Sequence, residues 1–331
     1  MKKLIIFIAI ALLVLIGSFT FLIYGTKVER EHIIKTDEIS ATEFLKILNE
    51  SDMFQKAWWI ACRWENVSSI TCGEYTIPAG LNAFELIQLL KKGDQSSYMI
   101  RTDKKRIIDG FFDALAEKLK YTASEYRDGF CKTLGLDTSA NGRAMATTYL
   151  FANTFDFQYS DTPERVAKRF KKMHDDFWTN ENLEKAKAMN LSPEQVYILA
   201  SIIKGECKHE EEAPKIAGLY MNRINQKMLL QCDATVQFIV SRKNARRILN
   251  ADLEIDSPYN TYKYPGLPPG PIHIAEKKFL AAVLNFEHHD GIYMCAKDDG
   301  SGYHHFTSSL QEHNRNASAY QAYLRKLNIK N

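Results

Sequence analysis

An uncharged apolar run from Leu4 to Tyr24 (LIIFIAIALLVLIGSFTFLIY) is the feature that most constrains this chain. About 20 apolar residues let a helix cross the hydrocarbon of a bilayer with its backbone hydrogen bonds satisfied internally, whereas a signal-peptide apolar region is about 7–15 residues. No small-x-small cleavage site follows promptly, so the run is expected to be a retained anchor rather than a cleaved signal. Lys2 and Lys3 precede it, and Lys27, Arg30 and Lys35 follow it among Glu29 and Glu31, so flanking charge does not decide the orientation. Long domains cross largely regardless of charge. The expectation is a single-pass protein, with residues 1–3 inside, the anchor at 4–24 and the bulk beyond the membrane.

The 331 residues carry 43 basic and 40 acidic side chains, a net charge of +3, which offers no electrostatic case for a nucleic-acid partner. Six cysteines (Cys62, Cys72, Cys131, Cys207, Cys232 and Cys295) are scattered without a CxxC pair. Cys62 and Cys72 could close a short disulfide loop in an oxidising compartment, or all six could be free thiols. Metal-ligand spacing is absent among them.

Behind the anchor, TEFLKILNE (42–50) reads as a short helix. Ile70 to Ile77 looks like a strand, Pro78 to Gly80 a turn, and Asn82 the cap of a helix that carries Phe84, Ile87, Leu89 and Leu90 and stops at Gly93. This strand–turn–helix unit resembles a small peptidoglycan-binding LysM-like module. Residues 106–135 are helical by period, with Ser124 a candidate cap, Tyr149–Phe157 is aromatic and extended, and Asp161-Thr-Pro opens an amphipathic helix. The fold class is therefore α+β. It comprises a transmembrane helix, a LysM-like α/β module over 25–110, a mostly helical connection over 111–190, and a mixed helical and short-strand domain over 191–331.

In that last domain, Ser192, Pro193 and Gln195 form a helix-starting capping box, followed by an apolar stripe of Val196, Leu199, Ile202 and Ile203. Glu206 falls on the stripe, three residues beyond Ile203. A carboxylate facing the core is partly desolvated, which favours its neutral form and suits it to act as a general acid near neutral pH. Alternatively, it swings out to solvent from the helix end after Gly205. The neighbouring block of Glu210, Glu211 and Glu212 reads as a solvated charge run.

Six further segments occur in order: ASIIKGE, LYMNR, LQCDATVQF, YNTY, GLPPGPI and HHF…HN. Together with YLFANTFDF they closely resemble the endolytic lytic transglycosylases of bacterial cell walls, the MltG-type or YceG-like proteins. That resemblance implies membrane-anchored enzymes working outside the cytoplasmic membrane on peptidoglycan glycan strands, with cell-wall synthesis enzymes as potential partners and no cofactor. It implies non-hydrolytic cleavage of the β-1,4 bond between N-acetylmuramic acid and N-acetylglucosamine, leaving a 1,6-anhydro-muramyl end. The catalytic Glu of the family falls on Glu206. At the family's E-K-E-T signature this chain reads Lys204-Gly205-Glu206-Cys207, so Lys204 replaces the first acid and Cys207 the Thr. Where members carry a T-I-P-E-G turn after the LysM-like helix, this chain has MIRTDKKRII (99–108).

Ordinary glycosidases need two carboxylates. A lytic transglycosylase can use one, as acid toward the leaving oxygen and then as base toward the muramyl C6 hydroxyl. Asn222, Gln231, Asp233, Tyr259, Asn260 and Tyr262 would orient the sugars, and His304 with Phe306 occupies the family's H-x-F position. His313 is a further cleft candidate. The rivals are a hydrolytic cell-wall glycosidase with Asp233 activating water, a non-catalytic peptidoglycan-binding scaffold, and a zinc hydrolase, against which stands the missing HExxH.

Overall fold

The computed structural model describes residues 2–93, 95–103, 107–240 and 248–327. Within MIRTDKKRII, positions 104–106 lie outside the described residues. The apolar run forms helix α1 (Lys2–Thr20), extended by one wider turn over Phe21–Gly25. It is long and apolar enough to cross a membrane by length and composition, and none of α1 is buried.

Contacts divide the chain into two units, the first comprising residues 1–99, 118–120 and 156–161, and the second the remainder. In the first unit, β1 (His32–Thr36) pairs antiparallel with β4 (Gly73–Ile77), placing His32 opposite Ile77. The short β2 (Ile39–Ser40) pairs with β3 (Ser69–Ile70). Helices α2 (Ala41–Leu48), α3 (Asp52–Glu65) and α4 (Ala83–Lys92) supply Phe44, Leu48, Phe54, Trp58, Leu86 and Ile87 to the core, with Tyr75 and Ile77 from β4. Trp58 is wholly buried because its indole N–H donates to the Ala41 carbonyl, 3.1 Å away.

The strand expected over Ile70–Ile77 is two strands. The Tyr75 hydroxyl turns back onto the Thr71 carbonyl at 3.0 Å, and the ladder is interrupted between Ile70 and Gly73. Asn82 does cap α4 through a capping box with Glu85, and Gly93 ends it at a φ of 65°, a left-handed position natural to glycine. All six cysteines are free thiols. Cys62 faces the core of this unit, where burial pushes its thiol up to about 11.

Strand β5 (Ser97–Arg101) pairs with β6 (Thr154–Gln158), the strand segment of the aromatic stretch. The helices that follow are α5 (Ile108–Ala116), α6 (Ala123–Leu134), α7 (Ala140–Thr147), α8 (Pro163–Phe177) and α9 (Asn180–Ala188). Thr122, not Ser124, caps α6. Its hydroxyl accepts from Glu125 N–H, and the Glu125 carboxylate returns to the Thr122 backbone, a reciprocal pairing that Ser124 lacks a partner to make.

Helix α10 (Pro193–Glu206) is the axis of the second unit. Its capping box is present, but every residue from Val196 to Ile203 is buried, so the apolar stripe is in fact a whole circumference. Around it pack α9, α11 (Ala213–Asn225), α12 (Asp233–Ile239) and α13 (Lys277–Leu284). The antiparallel hairpin β7 (Tyr293–Ala296) and β8 (His304–Thr307) leads into α14 (Leu310–Lys326).

One line of polar groups on α10 holds the loop from Ile272 to Ala275, at the end of GLPPGPI. The Tyr197 hydroxyl accepts from Ala275 N–H at 3.0 Å and donates to the Leu150 carbonyl at 2.6 Å. The Ser201 hydroxyl accepts from Ile272 N–H at 3.1 Å, and Lys204 Nζ donates to the Ile274 carbonyl at 2.8 Å. Positions 197, 201 and 204 recur at helical spacing, so the loop is laced along one side of α10. Lys204 also pairs with Glu276 at 3.0 Å, which gives its charge a partner beside the loop.

Candidate active site

Glu206 is the last residue of α10 and is half-buried. Its Oε1 accepts from the Cys232 thiol at 2.8 Å and from the Ala234 backbone N–H at 3.2 Å. These bonds stop the swing toward open solvent that a helix-terminal Glu would otherwise make. Gly205 permits them: a Cβ there would sit 2.7 Å from the Ala234 Cβ, too close to keep α12 against the end of α10. Oε2 has no hydrogen-bond partner among the described residues, and the side chain lines a cleft of about 440 Å³.

Desolvation by burial pushes the Glu206 carboxyl above the ordinary carboxylate range. The Cys232 and Ala234 hydrogen bonds pull it down, the nearby Asp233 charge adds to the rise, and His304 opposes it weakly. The net shift is upward and favours the protonated form, the direction a general acid needs. If the Cys232 thiol helps hold the carboxylate form, Cys232→Ala moves the alkaline limb of the pH–rate profile to higher pH, because the acid then keeps its proton longer. An unmoved limb in a folded Cys232→Ala protein would show that the thiol does not tune this group.

The wall beside Glu206 comes from the turn between α11 and α12. Gln231 and Asp233 are exposed, with buried Cys232 between them pointing at Glu206. Gln231 has a left-handed φ of 49°, and its N–H donates to the Thr261 carbonyl at 3.0 Å. Thr261 is buried: its hydroxyl accepts from Cys232 N–H at 3.0 Å and meets the Thr235 hydroxyl at 2.8 Å. Asp233 Oδ1 accepts from the Tyr262 hydroxyl at 2.6 Å, and burial together with that carboxylate raises the Tyr262 phenol well above its usual range.

Arg223 is the residue that sequence reasoning passed over. It is 7% exposed, and its guanidinium donates to the carbonyls of Ile292, Leu229 and Leu230 and to Gln231 Oε1, at 2.6, 3.1, 2.9 and 3.3 Å. It also lies 5.6 Å from the Tyr293 ring centre. Arg223 thus fixes the turn that presents Gln231, Cys232 and Asp233, and lines the cleft itself. Its only sequence signal was its position next to Asn222 in LYMNR. Tyr293, Met294, Leu310, His313 and Asn314 line the cleft from the hairpin and α14. His313 stacks on Tyr293 with ring centres 5.2 Å apart, and burial lowers its tendency to protonate.

The structure thus brings Glu206, Gln231, Asp233 and Tyr262 to one cleft. The five other proposed sugar contacts each have a partner within the protein. Asn260 is fully buried, its amide donating to the Leu253 and Ile255 carbonyls at 2.9 and 2.8 Å and its Oδ1 accepting from Tyr262 N–H, so it shapes the loop. Asn222 donates to the carbonyls of His289 and Gly291 at 2.6 and 3.0 Å. Tyr259 packs on Phe238, with ring centres 5.0 Å apart. The His304 ring meets Glu212 at 2.9 Å, and Phe306 packs between His289 and Lys215.

The acidic block is not a uniform solvated run. Glu212 is 8% exposed, and its two oxygens take the His304 backbone N–H and ring nitrogen, pinning β8. Glu211 accepts from the Tyr303 hydroxyl, and Glu210 pairs with Lys278. The helix also stops at Glu206, so Glu210 does not share its face. Among the described residues no group of three or more His, Cys, Asp or Glu is placed to hold a metal ion.

The model of the YceG-like family matches residues 34–319, which include the whole of this cleft. The chain belongs to the YceG-like family. An endolytic murein transglycosylase of Bacillus subtilis is 30% identical over 299 residues, covering 85% of this chain and 82% of that protein. One from Streptococcus pneumoniae is 28% identical over 180 residues, 52% of this chain but 32% of the streptococcal protein, so the chain spans about a third of that relative. A YceG-like protein from Listeria monocytogenes, known from a crystal structure, superposes with a TM-score of 0.55 at 22% identity, covering 86% of this chain and 98% of that one. At that identity the likeness shows the fold.

Proposed function

We propose that this YceG-like protein is an endolytic murein transglycosylase, a lyase that cleaves peptidoglycan glycan strands internally. The relatives' activity supports the substrate class. The observation that carries the chemistry is Glu206 itself: a desolvated carboxyl that lines the cleft, with Oε1 tied by two donors and Oε2 without a hydrogen-bond partner among the described residues.

With Oε1 committed as an acceptor, the transferable proton belongs on Oε2. Oε2–H protonates the glycosidic oxygen as its bond to muramyl C1 breaks. The muramyl C6 hydroxyl oxygen then bonds to C1, and its proton returns to Oε2, so acid and base are the same atom. The cleft's other carboxylate, Asp233, already holds the Tyr262 hydroxyl on Oδ1, which suits it to steady charge or orient sugar rather than to activate water. Gln231 and Tyr262 complete the proposed sugar contacts.

The same reading makes α1 a single-pass anchor with the rest of the chain on the outer side of the cytoplasmic membrane. It makes the β4–turn–α4 stretch a LysM-like glycan contact within a 25–110 module, ahead of a connecting region over 111–190 and a catalytic domain over 191–331. Product analysis in heavy-oxygen water tests the chemistry. Intramolecular attack gives unlabelled 1,6-anhydro-muramyl ends, one water lighter than hydrolytic ends. Labelled reducing ends would instead establish a hydrolase with water activated at the cleft.

A further inference from the structure

Helix α3 exposes a face that no described residue of its own unit covers. Its inner side, Phe54, Ala57, Trp58 and Ala61, is buried in the core of the first unit. Its outer side carries Met53, Trp59 and Trp64, exposed by 45%, 47% and 78%, with exposed Lys56 and Arg63 and half-buried Ile60 among them. At about 100° per residue these six positions occupy an arc of roughly 140°. Asp52 shares the face at the helix start, while the carboxylate of Glu65 is engaged by Lys91 at 2.8 Å.

The place of α3 along the chain's apolar helix sets its depth. The last turn of that helix, Phe21–Gly25, packs directly against α3. Ile23 is 7% exposed, and Leu22 packs on the core to which α3 belongs. Just beyond, Val28 N–H donates to the Leu81 carbonyl at 2.8 Å, and Gly80 N–H donates back to Val28 at 2.9 Å. No slack tether therefore separates the end of the apolar run from the unit. Packed helices lie about 8–10 Å apart, and the polar layer on each side of the hydrocarbon is roughly 5–8 Å thick. A helix resting on the final turn of a membrane span sits at the level of the lipid headgroups.

We propose that the outer face of α3 is a membrane-contact surface, with Trp59 and Trp64 seated at the headgroup level and Lys56 and Arg63 against anionic lipid phosphates. Tryptophan favours that depth because its ring is apolar and its N–H seeks a polar partner, and basic side chains are drawn to an anionic leaflet. The consequence is that the first unit lies on the bilayer rather than standing off it. This rests on the reading of α1 as a retained anchor.

The test uses the full-length chain in liposomes containing phosphatidylglycerol and lipids brominated near the top of the acyl chain. Trp58 and Trp178 are buried, at 0% and 8% exposure, and act as the unquenched background. Bromolipid is expected to quench the wild-type emission, and that quenching is expected to disappear in the Trp59→Phe/Trp64→Phe double variant. A protein that resists alkaline extraction but shows no quenching, as when a protein partner covers this face, overturns the surface and spares the anchor. Quenching that persists unchanged in the double variant also overturns it. Extraction at alkaline pH overturns both readings together.

Discussion

Glu206→Gln is expected to leave a folded protein whose turnover of glycan strands falls by at least about 10⁴-fold. General acid–base assistance is typically worth about 10²–10⁴-fold, and here one group is proposed to serve both proton transfers. The amide oxygen can still accept from Cys232 and Ala234, so the end of α10 keeps its attachment, while the amide nitrogen replaces Oε2 and cannot exchange the proton. Stability separates lost chemistry from lost fold. The folded-state pKa of Glu206 is raised, so whatever stability its protonated form contributes is fully present below the ordinary carboxylate range and is lost as pH rises through the raised value. Glu206→Gln therefore gains stability relative to wild type toward alkaline pH. Thermal melts across pH, run beside a glycan-strand assay, read both effects. Wild-type turnover in a folded variant would remove Glu206 from the mechanism.

Arg223→Met is expected to have the largest effect on stability, about 3–5 kcal/mol less unfolding free energy. A hydrogen bond involving a charged group contributes about 1.5–3 kcal/mol, and a buried polar group stripped of its partner costs about 1–3 kcal/mol. Methionine preserves much of the apolar stem but strands the carbonyls of Leu229, Leu230 and Ile292. Activity is expected to fall with stability, because the freed turn carries Gln231, Cys232 and Asp233. Arg223→Lys should recover part of the loss, since a single ammonium cannot span acceptors on both the turn and Ile292. Urea unfolding gives the measure. An unchanged midpoint with wild-type activity would show that the turn holds itself.

Much of the architecture is local, and local features were legible in the residues. The length of the Leu4–Tyr24 run, the Ser192–Gln195 and Asn82–Glu85 capping boxes, and the αL stop at Gly93 each depend on residues a few positions apart. So does the apolar setting of Glu206. Where two candidate caps lie two residues apart, the return partner decides between them: Thr122 rather than Ser124 caps α6 because only Thr122 has Glu125 at the return position.

The sequence by itself therefore determined the membrane-competent helix, the boundaries of α4, the start of α10, and the placing of a lone carboxylate after an apolar helical run. Tertiary structure decided what that carboxylate does, because its restraints come from Cys232 and Ala234, 26 and 28 residues away. It also decided that Asn260 serves its own loop while Tyr262 reaches Asp233, that Glu212 turns inward to His304, and that Arg223 binds the turn. Side-chain polarity announces that a hydrogen-bond partner is needed. Which partner is found depends on loops brought together across long chain separations, and no periodicity in the sequence carries that information.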